Sequence, residues 1–182
     1  MFRLFRKVTL DEVVRSVAQA VPESLGDQLV SLVLHGTHVD SISNEVVEPE
    51  APVAILIMIR ALDHNTLRDL SNVFQQSRLA SRLAMMVMSM EELHASTDVF
   101  PITFLEIKRR YRVLAGEDVL SELSISDSHL RLRCEQELKN LLLRMQSTLL
   151  LQCQRPRLLL LSLKRSHTAF IRAIRASLGL ID

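Results

Sequence analysis

The sequence predicts an α/β domain followed by two antiparallel helices. Three observations carry this reading. Short apolar runs alternate with amphipathic stretches up to about residue 120. One run, Val53 to Ile59, is seven apolar residues without a break, the pattern of a strand covered on both faces. Beyond Ser126 the pattern changes to two long stretches with apolar residues at spacings of three and four, joined by a short Gln154-Arg155 connection.

Each element has its own signal. Thr9 and Glu12 stand at capping-box spacing. Val13, Val14, Val17 and Ala18 follow on one helical face, and the helix is expected to end near Val21-Pro22. Leu29 to Leu34 reads as a buried strand that stops at His35-Gly36-Thr37. A polar loop, acidic at Asp40, Glu45, Glu48 and Glu50, leads to the strand Val53–Ile59. Asp63 or Asn65 can cap a helix to about Ser81 with Leu67, Leu70, Val73 and Phe74 inward. Leu83 to Met88 reads as a strand whose methionines fill gaps in the core. Met90 to Ala95 suggests a short helix. Val99 to Ile107 reads as a strand around Pro101, and Arg112 to Ala115 closes at Gly116.

Ser126 to Ser128 offer N-caps for a helix to about Cys153, with a stripe of Leu130, Cys134, Leu138, Leu141, Met145 and Leu149. Pro156 suits the first turn of the last helix. Its stripe is Leu163, His167, Phe170, Ile174 and Leu178, and Gly179 can stop it. The expected division is an α/β domain over 1–122 and a helical hairpin over 123–182, packed on it.

Bulk properties exclude several classes. There are 22 basic and 21 acidic residues, so no basic excess points to nucleic acid. The run Lys108-Arg109-Arg110 with Arg112 reads as a charged strand edge. No apolar run approaches the roughly 20 residues of a membrane span. Cys134 and Cys153 are 19 residues apart on one expected helix. At about 1.5 Å per residue they lie too far apart to bridge. Reduced, buried thiols and a cytoplasmic location are expected. His35 and His38 have no third ligand near them in sequence, and His167 reads as a core or interface histidine. No metal site, no cofactor and no catalytic residue is expected. A P-loop, a Gly-x-Gly-x-x-Gly and a Gly-x-Ser-x-Gly are all absent.

Two segments carry a resemblance. The first is a strand ending in His35-Gly36-Thr37, then a polar loop, the strand Val53–Ile59, and a helix after Asp63. The second is Asp98-Val99-Phe100-Pro101-Ile102-Thr103-Phe104-Leu105-Glu106-Ile107, continuing to Arg112-Val113-Leu114-Ala115-Gly116-Glu117-Asp118. Together they resemble the nucleotidyltransferase superfamily, in its bacterial nucleotidyltransferase domain-containing branch, over roughly residues 25 to 150. The resemblance implies a mixed sheet flanked by helices. It also implies a strand ending in Gly-Ser, and Asp-x-Asp opening the next strand to hold magnesium for transfer of a nucleotidyl group. Two Asp at i and i+2 point the same way on a strand.

This sequence departs from that pattern at the carboxylates. Counted back from the helix after Asp63, the pair falls at Pro52 and Ala54, and the third family carboxylate falls near Thr103. Pro52 and Ala54 offer magnesium no ligand, and Thr103 is not acidic. Gly36 and Thr37 remain as nucleotide-contacting candidates. The expected function is therefore a degenerate, catalytically inactive member acting through binding or assembly. Three rivals stand beside it. One is an active magnesium-dependent enzyme using Glu48 and Glu50, perhaps with Asp98 or Glu106. The second is a nucleotide sensor without turnover. The third is a homodimer formed through the apolar C-terminal helices.

Overall fold

The computed structural model describes residues 9–40, 51–76 and 80–180. The chain divides into two compact units. The first comprises Met1–His94 with Glu106–Leu123, the second Ala95–Leu105 with Ser124–Asp182.

The first unit opens with helix α1 (Leu10–Leu25). The capping box forms as read: the Glu12 amide donates to Thr9 Oγ1 at 3.3 Å, and the Thr9 amide donates to Glu12 Oε2 at 3.2 Å. The helix does not end at Pro22 but runs a turn further. Proline removes one ladder donor. Val21 and Leu25, on either side of it, are both buried, and their burial holds the last turn in helical form.

Four strands make one sheet: β1 (Leu29–His35), β2 (Val53–Ile59), β3 (Leu83–Ser89) and β4 (Tyr111–Gly116). The order is β3-β2-β1-β4. β2 and β3 run parallel, while β1 is antiparallel to both its neighbours. The sheet is therefore mixed, as expected. β2 is internal, and all its residues but Ala54 are buried. Helix α2 (His64–Gln76) makes the crossover from β2 towards β3. Asp63 starts it, its Oδ1 accepting from the Thr66 amide at 2.7 Å. That bond holds the Asp63 carboxyl below the usual carboxylate range. Leu70 and Phe74 face inward, but Leu67 is exposed and Thr66 takes the buried position instead.

One core joins α1, α2 and one sheet face. It contains Val13, Val17 and Val21 of α1, Leu32 and Leu34 of β1, Val53, Ile55, Ile57 and Ile59 of β2, and Leu70 and Phe74 of α2. Val33, Leu56 and Met58, on the opposite face, are also fully buried. Each such side chain contributes roughly 1.5–3 kcal/mol by leaving water.

The segment expected as a strand over Val99–Ile107 is helical. α3 (Met90–Val99) and α4 (Pro101–Arg109) fill it. Pro101 is the first residue of α4, where a missing N–H costs nothing. Ile102, Phe104 and Ile107 are buried from the helix.

In the second unit, α5 (Asp127–Gln152) and α6 (Pro156–Leu178) form the antiparallel pair. Leu130, Cys134 and Leu141 of α5 are buried, but Met145 and Leu149 further along the same stripe are exposed. On α6 the expected stripe faces outward: Leu163, His167, Phe170 and Leu178 are exposed. Ala173 and Ala176 are the buried residues. Small side chains let two helices approach closely, and α6 packs through them. Cys134 is buried and Cys153 exposed, both as free thiols, so only one fits the expected buried state. Among the described residues no helix is long and apolar enough to cross a membrane.

Candidate functional site

The site is built where β1 ends. Gly36 has φ +80°, a left-handed conformation that side chains disfavour. A Cβ there would lie 3.9 Å from the Ala54 side chain, so backbone conformation rather than space demands glycine. The Gly36 amide donates to the Arg110 carbonyl at 3.2 Å. From Gly36 to Asp40 the chain makes a 3-10 turn. Asp40 meets Arg110 at 3.0 Å, an exposed pair worth at most about 1 kcal/mol.

Across the sheet, His35 pairs with Ala54 on β2 and with Tyr111 on β4, and Ala54 pairs with Ala84 on β3. Residues directly opposite share a face. A row of Ala84, Ala54, His35 and Tyr111 therefore crosses one end of the sheet. Pro52 stands one residue before β2. Ala54 thus lies beside Gly36, where the resemblance would have a carboxylate. Thr37 is exposed at the start of the turn.

Two histidines lie here in different states. Burial pushes His35 below the usual imidazole range, so it is neutral at pH 7. His38 is buried, and its Nε2 is 3.0 Å from the Ala51 carbonyl. A carbonyl only accepts, so Nε2 carries the proton. Nδ1 has no hydrogen-bond partner among the described residues. His38 thus ties the turn after β1 to Ala51, just ahead of β2. On β4, Tyr111 donates to both Asp118 oxygens at 3.0 and 3.1 Å. Burial first, then this bond and the nearby charge, push the phenol above its usual range.

The strand segments of this sheet contain no Asp or Glu. Among the described residues no group of three or more His, Cys, Asp or Glu is placed to hold a metal. Magnesium needs oxygen donors, and Pro52, Ala54 and Ala84 supply no side-chain oxygen. The row Ala84, Ala54, His35 and Tyr111 therefore offers the ion no carboxylate. Thr103 is on α4 rather than on a later strand, so the expected register for a third carboxylate fails. Asp98 is on α3 and hydrogen-bonds His129 Nδ1 at 2.7 Å, while Glu106 is on α4. Neither belongs to a strand. Glu48 and Glu50 lie outside the described residues.

Sequence reasoning missed a cavity. A cavity of about 140 Å³ in the second unit is lined by Phe100, Thr103, Arg133, Glu137 and Arg172 among others. Arg133 and Glu137 pair at 2.8 Å. Their i,i+4 spacing is the one sign in the sequence that pointed to them. No residue of the β1–β2 end lines this cavity.

Comparison with solved structures gives the fold a counterpart. The chain is similar to spectinomycin adenyltransferase AAD(9) from Enterococcus faecialis, solved with ATP and spectinomycin. The TM-score is 0.50 at 12% identity, over 94% of this chain and 99% of that one. The fold is nucleotidyltransferase-like. No protein-family model matches the sequence. No curated protein matches it either.

Proposed function

We propose that this nucleotidyltransferase-like chain does not transfer nucleotides and acts by binding. The observation that carries the proposal is the absence of any Asp or Glu from the four strands, with Ala54 paired to His35 beside Gly36. Transfer at an α-phosphate needs cations clamped on the attacking and leaving oxygens. Pro52 and Ala54 supply no oxygen ligand to clamp them. A neutral His35 offers a hydrogen bond but no charge to a phosphate. Thr37, exposed at the turn, is the residue a bound nucleotide would meet first. The Gly36 amide is already engaged with Arg110, so the turn supplies fewer amides to an anion than a bare glycine loop.

Calorimetric titration with ATP and GTP, with and without magnesium, tests this. The expected result is binding that does not depend on magnesium and no release of pyrophosphate. Magnesium-dependent turnover lost in Glu50→Gln would overturn the proposal and make the acidic loop the metal site. No heat at millimolar nucleotide would remove nucleotide from the reading and leave a binding function for a different ligand.

A further inference from the structure

The charges of this chain are unevenly spread. Between Leu138 and Leu180 there are eight Lys or Arg and no Asp or Glu. The rest of the chain keeps 14 basic against 21 acidic residues, a formal −7. A near-neutral total hides a strongly cationic hairpin.

The same segment leaves its large apolar side chains outside. On α6, Leu160, Leu163, Phe170 and Leu178 are all about half exposed. An α-helix turns about 100° per residue, so these four fall within a sector of roughly 80°. Arg157, Lys164 and Arg175 fall in a line roughly 40–60° to one side of it. The inner face is made of Ser162, Ser166, Ala169, Ala173 and Ala176, each buried or half-buried. The helix thus turns small residues inward and a large apolar stripe outward, with cations beside the stripe and exposed Leu161 beyond them. At the hairpin's end the apolar surface widens, with Leu150 81% and Leu151 78% exposed on α5.

We infer that the outward face of α6 lies on an anionic lipid surface. Apolar side chains bordered by Lys and Arg are the composition of a helix that rests in the plane of a bilayer. The apolar stripe enters the headgroup boundary, and Arg157 and Lys164 reach the lipid phosphates along their own aliphatic stems. No described helix can span, so the contact is with one leaflet. Charge decides against a second hairpin as the occupant. Two copies face to face along α6 bring Arg157, Lys164 and Arg175 of one against the same three of the other, and α6 has no carboxylate to pair with them. This inference is independent of any nucleotide at Thr37.

Co-sedimentation with lipid vesicles tests it on the purified chain. Vesicles of phosphatidylcholine with a third phosphatidylserine should bind the protein, and pure phosphatidylcholine should not. Arg157→Gln with Lys164→Gln should weaken binding by roughly 25-fold, about fivefold per charge. Leu163→Ser with Phe170→Ser should abolish it. Both pairs are exposed, so circular dichroism should be unchanged. Equal binding to the two vesicle types, or none to either, overturns the inference. So does a dimer by light scattering that Leu163→Ser with Phe170→Ser dissociates while wild type ignores lipid, since the stripe then belongs to a second copy.

Discussion

Gly116 closes β4 against β1 with no room to spare. Its φ is +81°, and a Cβ would fall 2.2 Å from the Val30 carbonyl oxygen. The next residue, Glu117, donates its amide to that same oxygen at 2.9 Å and accepts from Ser31 Oγ at 2.5 Å. Asp118 then takes the Tyr111 hydroxyl and the amides of Leu120 and Ser121. The Arg112–Asp118 stretch that carried the resemblance is thus a structural clasp, and nothing in its geometry asks for a ligand. Gly116→Ala should lower stability by about 2–4 kcal/mol, from the left-handed φ and the clash together. Urea unfolding reads this directly, and a loss below about 1 kcal/mol would mean that β1 can give way. At this scale the sequence is informative about backbone and silent about partners. Gly36 is legible as a turn glycine, and the helix start at Asp63 fixes Pro52 and Ala54 ahead of it. That Ala54 faces His35 depends on strand register, which no local signal sets.

Thr9 shows how far an element can be read from its first residues. Both halves of its box form, and both bonds are part-buried. Thr9→Ala should cost about 1 kcal/mol, read as a lower denaturant midpoint with an unchanged slope. An unchanged midpoint would mean that the core contacts of Val13 and Val17 alone fix the end of α1. Other elements mislead for definite reasons. The residues around Pro101 are β-branched or aromatic, so composition favours a strand there. Proline at the first turn of α4 is the stronger signal, and the buried Ile102, Phe104 and Ile107 follow a helix. In α6 the periodicity is read correctly, but a stripe does not announce which side has a neighbour. Helix α5 meets the alanines, so the leucines are left outside. The same holds in smaller measure for Leu67 of α2 and for Met145 and Leu149 of α5.

For the molecule as a whole, His35 is a group through which pH acts on stability between about pH 5.5 and 7.5. Its folded value lies below the usual 6.5, because burial penalises the imidazolium. Above about pH 6.5 both states leave it neutral and it makes no difference. As pH falls below that value, the unfolded chain takes up a proton that the native chain resists, so stability drops. The drop stops once pH passes below the folded value. Wild type should therefore show a lower urea midpoint at pH 5.5 than at pH 7.5, and His35→Asn should reduce the difference. Equal pH dependence in the two proteins would place the effect elsewhere. The fold class is legible at this scale because the apolar runs of β1 and β2 and the long leucine periods of α5 and α6 are strong signals. The uneven charge is visible in the same letters, yet it acquires meaning only once α6 is seen to turn its leucines outward.

The sheet order has a consequence in time. β2 follows β1 closely and can pair with it as soon as both are made. β4 does not arrive at β1's other edge until Gly116 has been synthesised, and Ser31 then bonds to a residue 86 positions later. At typical translation speeds, the stretch from Arg60 to Gly116 takes roughly 3–11 s. Until β4 docks, one edge of β1 lacks its partner in the sheet. Closing so long a loop is a slow step, and the nascent chain is most open to wrong pairing before β4 docks.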